Sequence, residues 1–154
     1  MGGRLSELFA DGFDGAVPHL AARGVTFEVV SRAPVKKLLA FRARMGWKFD
    51  WESVEDSDFN RDFHVAFTED ETGKSTYYNY QDGAFPMTEA PGPSVFAREG
   101  DGSIYHTYST YARRLDALIG TYHYLDLVPR GRDEGGLDFS MAWVRHHDRY
   151  ADQE

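Results

Sequence analysis

Apolar residues recur at spacings of three and four from Leu5 through Leu8, Phe9, Phe13 and Val17 to Leu20, which places one stripe along an α-helix. Gly12, Gly15 and Pro18 weaken that helix, so a break near Gly15 is expected, and Gly24 suits its C-terminal cap. The pattern then changes period. Val25-Thr-Phe-Glu-Val-Val30 is dense in β-branched and aromatic residues, as in a buried strand. Pro34 opens a second helix whose inner face is Val35, Leu38, Leu39, Phe41 and Met45, and Gly46 closes it. Trp47 to Val54 alternates aromatic and polar residues, predicting a short strand.

The middle of the chain is less regular. Asp56 to Asp62 reads as a polar loop, and His64–Phe67 and Thr76–Tyr80 as short extended segments around a turn at Glu69–Lys74. Asp82 to Pro93, rich in Gly and Pro, reads as a loop inside one domain. Ser94–Glu99, the Gly100-Asp101-Gly102 turn and Ser103–Tyr108 form a β-hairpin signal. Leu115, Leu118, Ile119, Tyr122 and Leu125 trace a further helix, and a charged loop from Pro129 to Gly136 leads to a short terminal segment, Met141–Tyr150. Early alternation of helix and strand followed by a hairpin predicts an α/β fold, a three-layer sandwich with a mixed sheet and a closing β-hairpin, in one domain over residues 1–154.

Composition narrows the function classes. A hydrophobic share of 42% supports a real core, and 15% aromatic residues argue against disorder. The net charge of −8 repels phosphate backbones, so no nucleic-acid partner is expected; Lys36-Lys37 and Arg113-Arg114 are too short to reverse this. No apolar run nears the roughly 20 residues of a membrane span, and no secretory signal pattern opens the chain, so a soluble cytoplasmic protein without a membrane partner is expected. There is no cysteine, which removes disulfides, thiolate nucleophiles and thiolate metal ligands together.

Several runs are familiar in combination: Phe27–Pro34, Met45-Gly-Trp47, Ser57–Asn60 with Asp62-Phe63, His106–Arg113, Gly120-Thr-Tyr122, Leu125-Asp-Leu127 with Arg130–Glu134, and Met141–Arg145 with His147-Asp148. From about Ala10 to Tyr150 the chain resembles a bacterial family of thioredoxin-like proteins catalogued as domain of unknown function number eight hundred and ninety-nine. The resemblance implies a thioredoxin-like fold, and some members carry the label of predicted dithiol–disulfide oxidoreductase. It also places Pro93 where peroxiredoxin-type domains carry a proline, often cis, facing the active site. The family's Cys-Pro-x-Cys-type motif precedes the stretch matching Ala10-Asp11, which sets Gly3 and Ser6 where the two cysteines stand. A serine hydroxyl neither forms disulfides nor ionises near neutral pH, so redox activity does not carry over. The chain also starts at that motif, and the expectation is that the N-terminal strand is missing and that a homodimer closes the sheet.

The remaining chemistry is sparse. His64 and His106 with a carboxylate would make a two-histidine site, but metal-ligand spacing such as HExxH is absent, and no metal or cofactor is expected. Asp56, Asp58, Asn60 and Asp62 resemble the start of a calcium loop, yet Arg61 and Phe67 stand where glycine and glutamate are required. His146 and His147, being adjacent, diverge rather than chelate together. Arg32 beside Ser31 is a candidate anion ligand near a helix start, although a solvated arginine explains it as well. The tyrosines are read as core and cleft lining, with a subset able to form a pocket or a dimer interface. Two functions compete: a non-catalytic binding or assembly domain, with Ser6, Arg32, His64, Pro93 and His106 as candidate binding residues, or a non-redox enzyme using His64 or His106 with Asp58 as acid–base partners.

Overall fold

Leu8, Phe9, Ala10, Phe13 and Val17 do give the first helix, α1 (Gly3–Ala21), a buried stripe, and the helix runs unbroken past Gly12 and Gly15. It ends as expected at Gly24, whose positive φ of 74° suits a residue without Cβ. The computed structural model describes the backbone of residues 3–153 and the side chains of residues 8–150. Tertiary packing holds the two glycines in helix, because α1 is flanked by core on two sides. Leu8 and Phe9 meet Leu115, Ile119, Tyr122, Met141 and Val144, whereas Ala10 meets Met45, Trp47 and Phe49, and Phe13 touches both groups. Each fully buried side chain of this size contributes about 1.5–3 kcal/mol.

The acids of α1 fix the chain that crosses it. Asp14 accepts hydrogen bonds from the backbone amides of Lys48 and Phe49 at 2.9–3.0 Å, and Asp11 accepts one from Trp47 Nε1 at 2.7 Å. These contacts aim the turn after α2 (Val35–Met45) into β2 (Asp50–Ser53), which pairs in parallel with β1 (Glu28–Ser31) in the register Glu28–Asp50 to Ser31–Ser53. Gly46 closes α2 in the left-handed region, as its position predicts. A strand, a crossover helix and a parallel strand form one α/β unit.

The rest departs from the expected single mixed sheet. Strands β3 (Ser75–Tyr78) and β4 (Gln81–Ala84) form an antiparallel hairpin, and β5 (Ser94–Arg98) and β6 (Ile104–Ser109) form another. With the β1–β2 pair they make three separate two-stranded sheets among the described residues, so the observed class is mixed α/β with small sheets. The partner of Thr76–Tyr78 is therefore β4, inside the segment expected to be a loop. His64–Phe67 instead contributes an isolated bridge from Ala66 to Glu89. The strands are four to six residues long and the hairpins close locally, so nothing in their own sequence draws them to β1–β2. The segment expected to be loop near Asn60 forms a short helix, α3 (Phe59–Asp62).

The helix expected over Leu115–Leu125 is split at Ile119 into a 3₁₀ segment, Ala112–Leu118, and α4, Gly120–Leu125. The split lets Leu115, Ile119 and Tyr122 all face α1, at 2%, 1% and 0% exposure. The chain finishes in a 3₁₀ segment, His147–Gln153. Among the described residues, no helix is long and apolar enough to cross a membrane.

Candidate functional site

The sequence candidates fall around the segments 59–67, 88–96 and 104–112, but no hydrogen bond, ion pair or ring contact joins any two of Arg32, His64 and His106. Arg32 is not free for an anion: it forms an ion pair with Glu89 at 3.2 Å, and Glu89 also accepts a hydrogen bond from Asn60 Nδ2. Burial pushes the Glu89 carboxyl up, against the opposing pull of Asn60 and Arg32. His64 is in the left-handed region at φ 53°, with its ring edge-on to Tyr77 at 4.8 Å. Among the described residues there is no cis peptide bond, so Gly92–Pro93 is trans, the ordinary X–Pro preference, and the cis geometry implied by the resemblance is not adopted. The Pro93 carbonyl accepts the Thr110 amide instead. Gly3 and Ser6 lie on the α1 backbone, and the Ser6 side chain is outside the described residues.

His106 has the most polar surroundings of the set. Its Nε2 lies 3.0 Å from the Tyr108 carbonyl and 2.7 Å from Ser109 Oγ, and Ser109 Oγ lies 2.7 Å from Ser94 Oγ. The Tyr108 carbonyl only accepts, so that contact is made by the Nε2–H tautomer, whereas Ser109 Oγ can pair with either tautomer of the ring. Phe63 and Phe96 hold the imidazole at ring distances of 5.2 and 5.4 Å. Asp58 makes no hydrogen bond or ion pair with either histidine, so the acid–base pairing expected of it is not formed. Among the described residues, no group of three or more potential metal ligands is assembled.

Two polar centres were not legible beforehand. At the first, Asp11 Oδ1 faces His147 Nδ1 at 2.7 Å and also takes the Trp47 indole N–H, while Arg44 binds Asp148 in a two-pronged pair at 2.8 Å. The adjacent histidines do diverge: His146 packs on the Phe41 ring at 5.3 Å. At the second, Glu134 Oε1 accepts three hydrogen bonds, from Tyr122 OH, Trp143 Nε1 and the Met141 amide, at 2.8–2.9 Å. Burial pushes the Glu134 carboxyl up, but the bonds from Trp143, Tyr122 and Met141 outweigh it and leave it below the usual range. Arg132 stands over the Tyr122 ring at 3.9 Å, joined to Asp116 and Asp126. These bonds brace the chain after α4 against the core.

Burial, then the Glu134 charge, pushes the Tyr122 phenol from 10.0 up to about 12. A folded-state pKa above the unfolded value gives stability that is complete below the unfolded pKa and lost as pH rises through the folded one. Denaturant midpoints measured against pH are therefore expected to hold to about pH 10 and then fall, with about 2 kcal/mol lost by pH 12 through this group. Tyr122→Phe should flatten that loss.

The tyrosines are not mainly core. Tyr111 and Tyr122 are buried, but Tyr77, Tyr80, Tyr105 and Tyr108 of the two hairpins and Tyr124 of α4 are exposed. On β5–β6, Val95, Phe96, Ile104, Tyr105 and Tyr108 are all between 43% and 68% exposed. A register shift between Val95 and Phe96 bends this ribbon, as a bulge does. The strand sequences Ser94–Arg98 and Ile104–Ser109 contain no acid, in a chain with 25 Asp and Glu residues.

A family model described as "Bacterial protein of unknown function (DUF899)" matches residues 4–150. No curated protein and no solved structure matches the chain.

Proposed function

Because the chain belongs to this bacterial family of unknown function, we propose that it is a thioredoxin-like binding domain without thiol chemistry, which assembles by pairing with a second copy of itself. The thioredoxin-like part rests on the sequence resemblance, together with the β1–α2–β2 unit and the β5–β6 hairpin. The absence of cysteine removes the dithiol reaction outright.

The observation that carries the assembly reading is the β5–β6 ribbon. Its two strands pair only with each other, so the outer backbone groups of both strands lack a sheet partner, and its apolar side chains are exposed. A second copy is the occupant that charge favours. Copies of a chain with net charge −8 repel one another, and contact is least opposed where acids are absent and Arg98 and His106 are the basic side chains. Antiparallel pairing about a twofold axis extends each ribbon with the same edge of its partner. Tyrosine and phenylalanine suit such a surface. The acidic surface also speaks against a nucleic-acid partner.

The acid–base alternative finds no comparable support, since Asp58 makes no hydrogen bond or ion pair with either histidine. Sedimentation equilibrium at micromolar concentration tests the proposal. The chain is expected as a dimer, and Ile104→Asp or Tyr105→Asp as a monomer with unchanged far-ultraviolet circular dichroism. A monomeric parent, or a dimer that survives both changes, refutes it.

A further inference from the structure

Between α1 and the β3–β4 hairpin is a cavity of about 180 Å³. Its floor is Phe9, Leu115, Ile119 and Met141, none more than 6% exposed. Phe85 and Met87 form the wall, and Arg113 and Asp116 stand at the rim. None of the candidate binding residues Arg32, His64, Pro93 and His106 lines it. Protein interiors pack to the density of organic crystals, so apolar side chains around a space this large lack neighbours on one side.

The cavity is held open by the backbone. Ala112 and Met141 both line it and both have positive φ, 51° and 68°, a region that residues with a Cβ rarely adopt. Each is pinned there through its own amide: Ala112 N–H donates to Tyr78 OH at 3.1 Å, and Met141 N–H donates to Glu134 at 2.9 Å. Relaxing either residue to fill the space would break the hydrogen bond that holds it. Such pinned, disfavoured conformations are typical of preformed ligand sites.

We infer that this cavity binds an uncharged molecule the size of one aromatic ring. Size sets the first limit. A cavity of about 150 Å³ lined by Leu, Ile and Phe accommodates benzene in another protein, whereas drug-sized ligands need roughly 300 Å³ or more. Charge sets the second. The rim ions cancel, because Asp116 pairs with Arg113 at 3.2 Å and the second cation on Asp116, Arg132 at 2.7 Å, is matched by Asp126. The Tyr78 hydroxyl is engaged as well, donating to the Pro91 carbonyl at 3.0 Å. A charged ligand would lose its hydration with no counter-ion to receive it.

Methyl NMR of the methionines tests this with three probes of one shape: benzyl alcohol, benzoate and benzylammonium. Met87 and Met141 line the cavity, while Met45 belongs to the other core group and is an internal control. Benzyl alcohol is expected to shift Met87 and Met141 saturably and to leave Met45 in place, with at least tenfold weaker binding of both ions. Met87→Trp fills the space and is expected to weaken benzyl alcohol binding at least tenfold, while Met87→Leu retains it. Absence of a saturable shift at millimolar benzyl alcohol overturns the inference, as does equal binding of either ion. The outcome does not depend on whether the β5–β6 ribbon pairs with a second copy.

Discussion

Replacing Glu134 with alanine is expected to lower the unfolding free energy by about 3–5 kcal/mol, because three donors lose their acceptor and a buried unsatisfied donor costs about 1–3 kcal/mol. The donors come from three places: the fully buried Tyr122 on α4, the Met141 amide and the Trp143 indole. One carboxylate oxygen therefore ties the chain after α4 to the core, and its loss should loosen that whole segment together. Glu134→Gln keeps an oxygen acceptor and loses the charge, so a smaller loss of about 1–2 kcal/mol is expected. Urea denaturation with tryptophan fluorescence checks both, and a change below about 1 kcal/mol for Glu134→Ala would contradict this role.

Gly92→Ala is expected to cost about 2–3 kcal/mol through overpacking. A Cβ at this position would sit 2.5 Å from Tyr111 Cδ1 and 3.2 Å from Val65 Cγ1. The Tyr111 ring is poorly placed to yield, since it is buried and packs against Tyr78 and Tyr80 at 5.7 and 5.5 Å. Gly12→Ala is the matching control. A Cβ on Gly12 meets nothing within 4 Å, and the position is mid-helix, so stability should rise by about 1 kcal/mol. Opposite signs for one chemical change would separate close packing from backbone entropy; two losses of similar size would contradict the packing assigned to Gly92.

The elements that the chain pattern revealed are those fixed by local chemistry. Pro34 and Gly46 bracket α2, and the Gly100-Asp101-Gly102 turn brackets β5 and β6, because capping and turn geometry depend on a few adjacent residues. What stayed illegible was non-local. Nothing in Thr76–Tyr78 says that its partner begins three residues later rather than at His64, and nothing local reveals that the three strand pairs stay apart.

The site followed the same division. His106 was visible as a histidine on a strand, but its contacts depend on the Tyr108 carbonyl and the Ser109 hydroxyl that the hairpin places around it. Glu134 lay in a charged loop between Asp133 and Asp138, where no spacing rule singles out the acid that meets Met141 and Trp143. Asp11 and His147 are 136 positions apart, too far for any spacing rule to join them.

The most direct test of the account is the mass of the protein in solution. Sedimentation equilibrium across the micromolar range is predicted to give twice the mass of one chain, falling to one chain in Ile104→Asp. A single-chain mass for the parent throughout that range would contradict assembly through the β5–β6 ribbon.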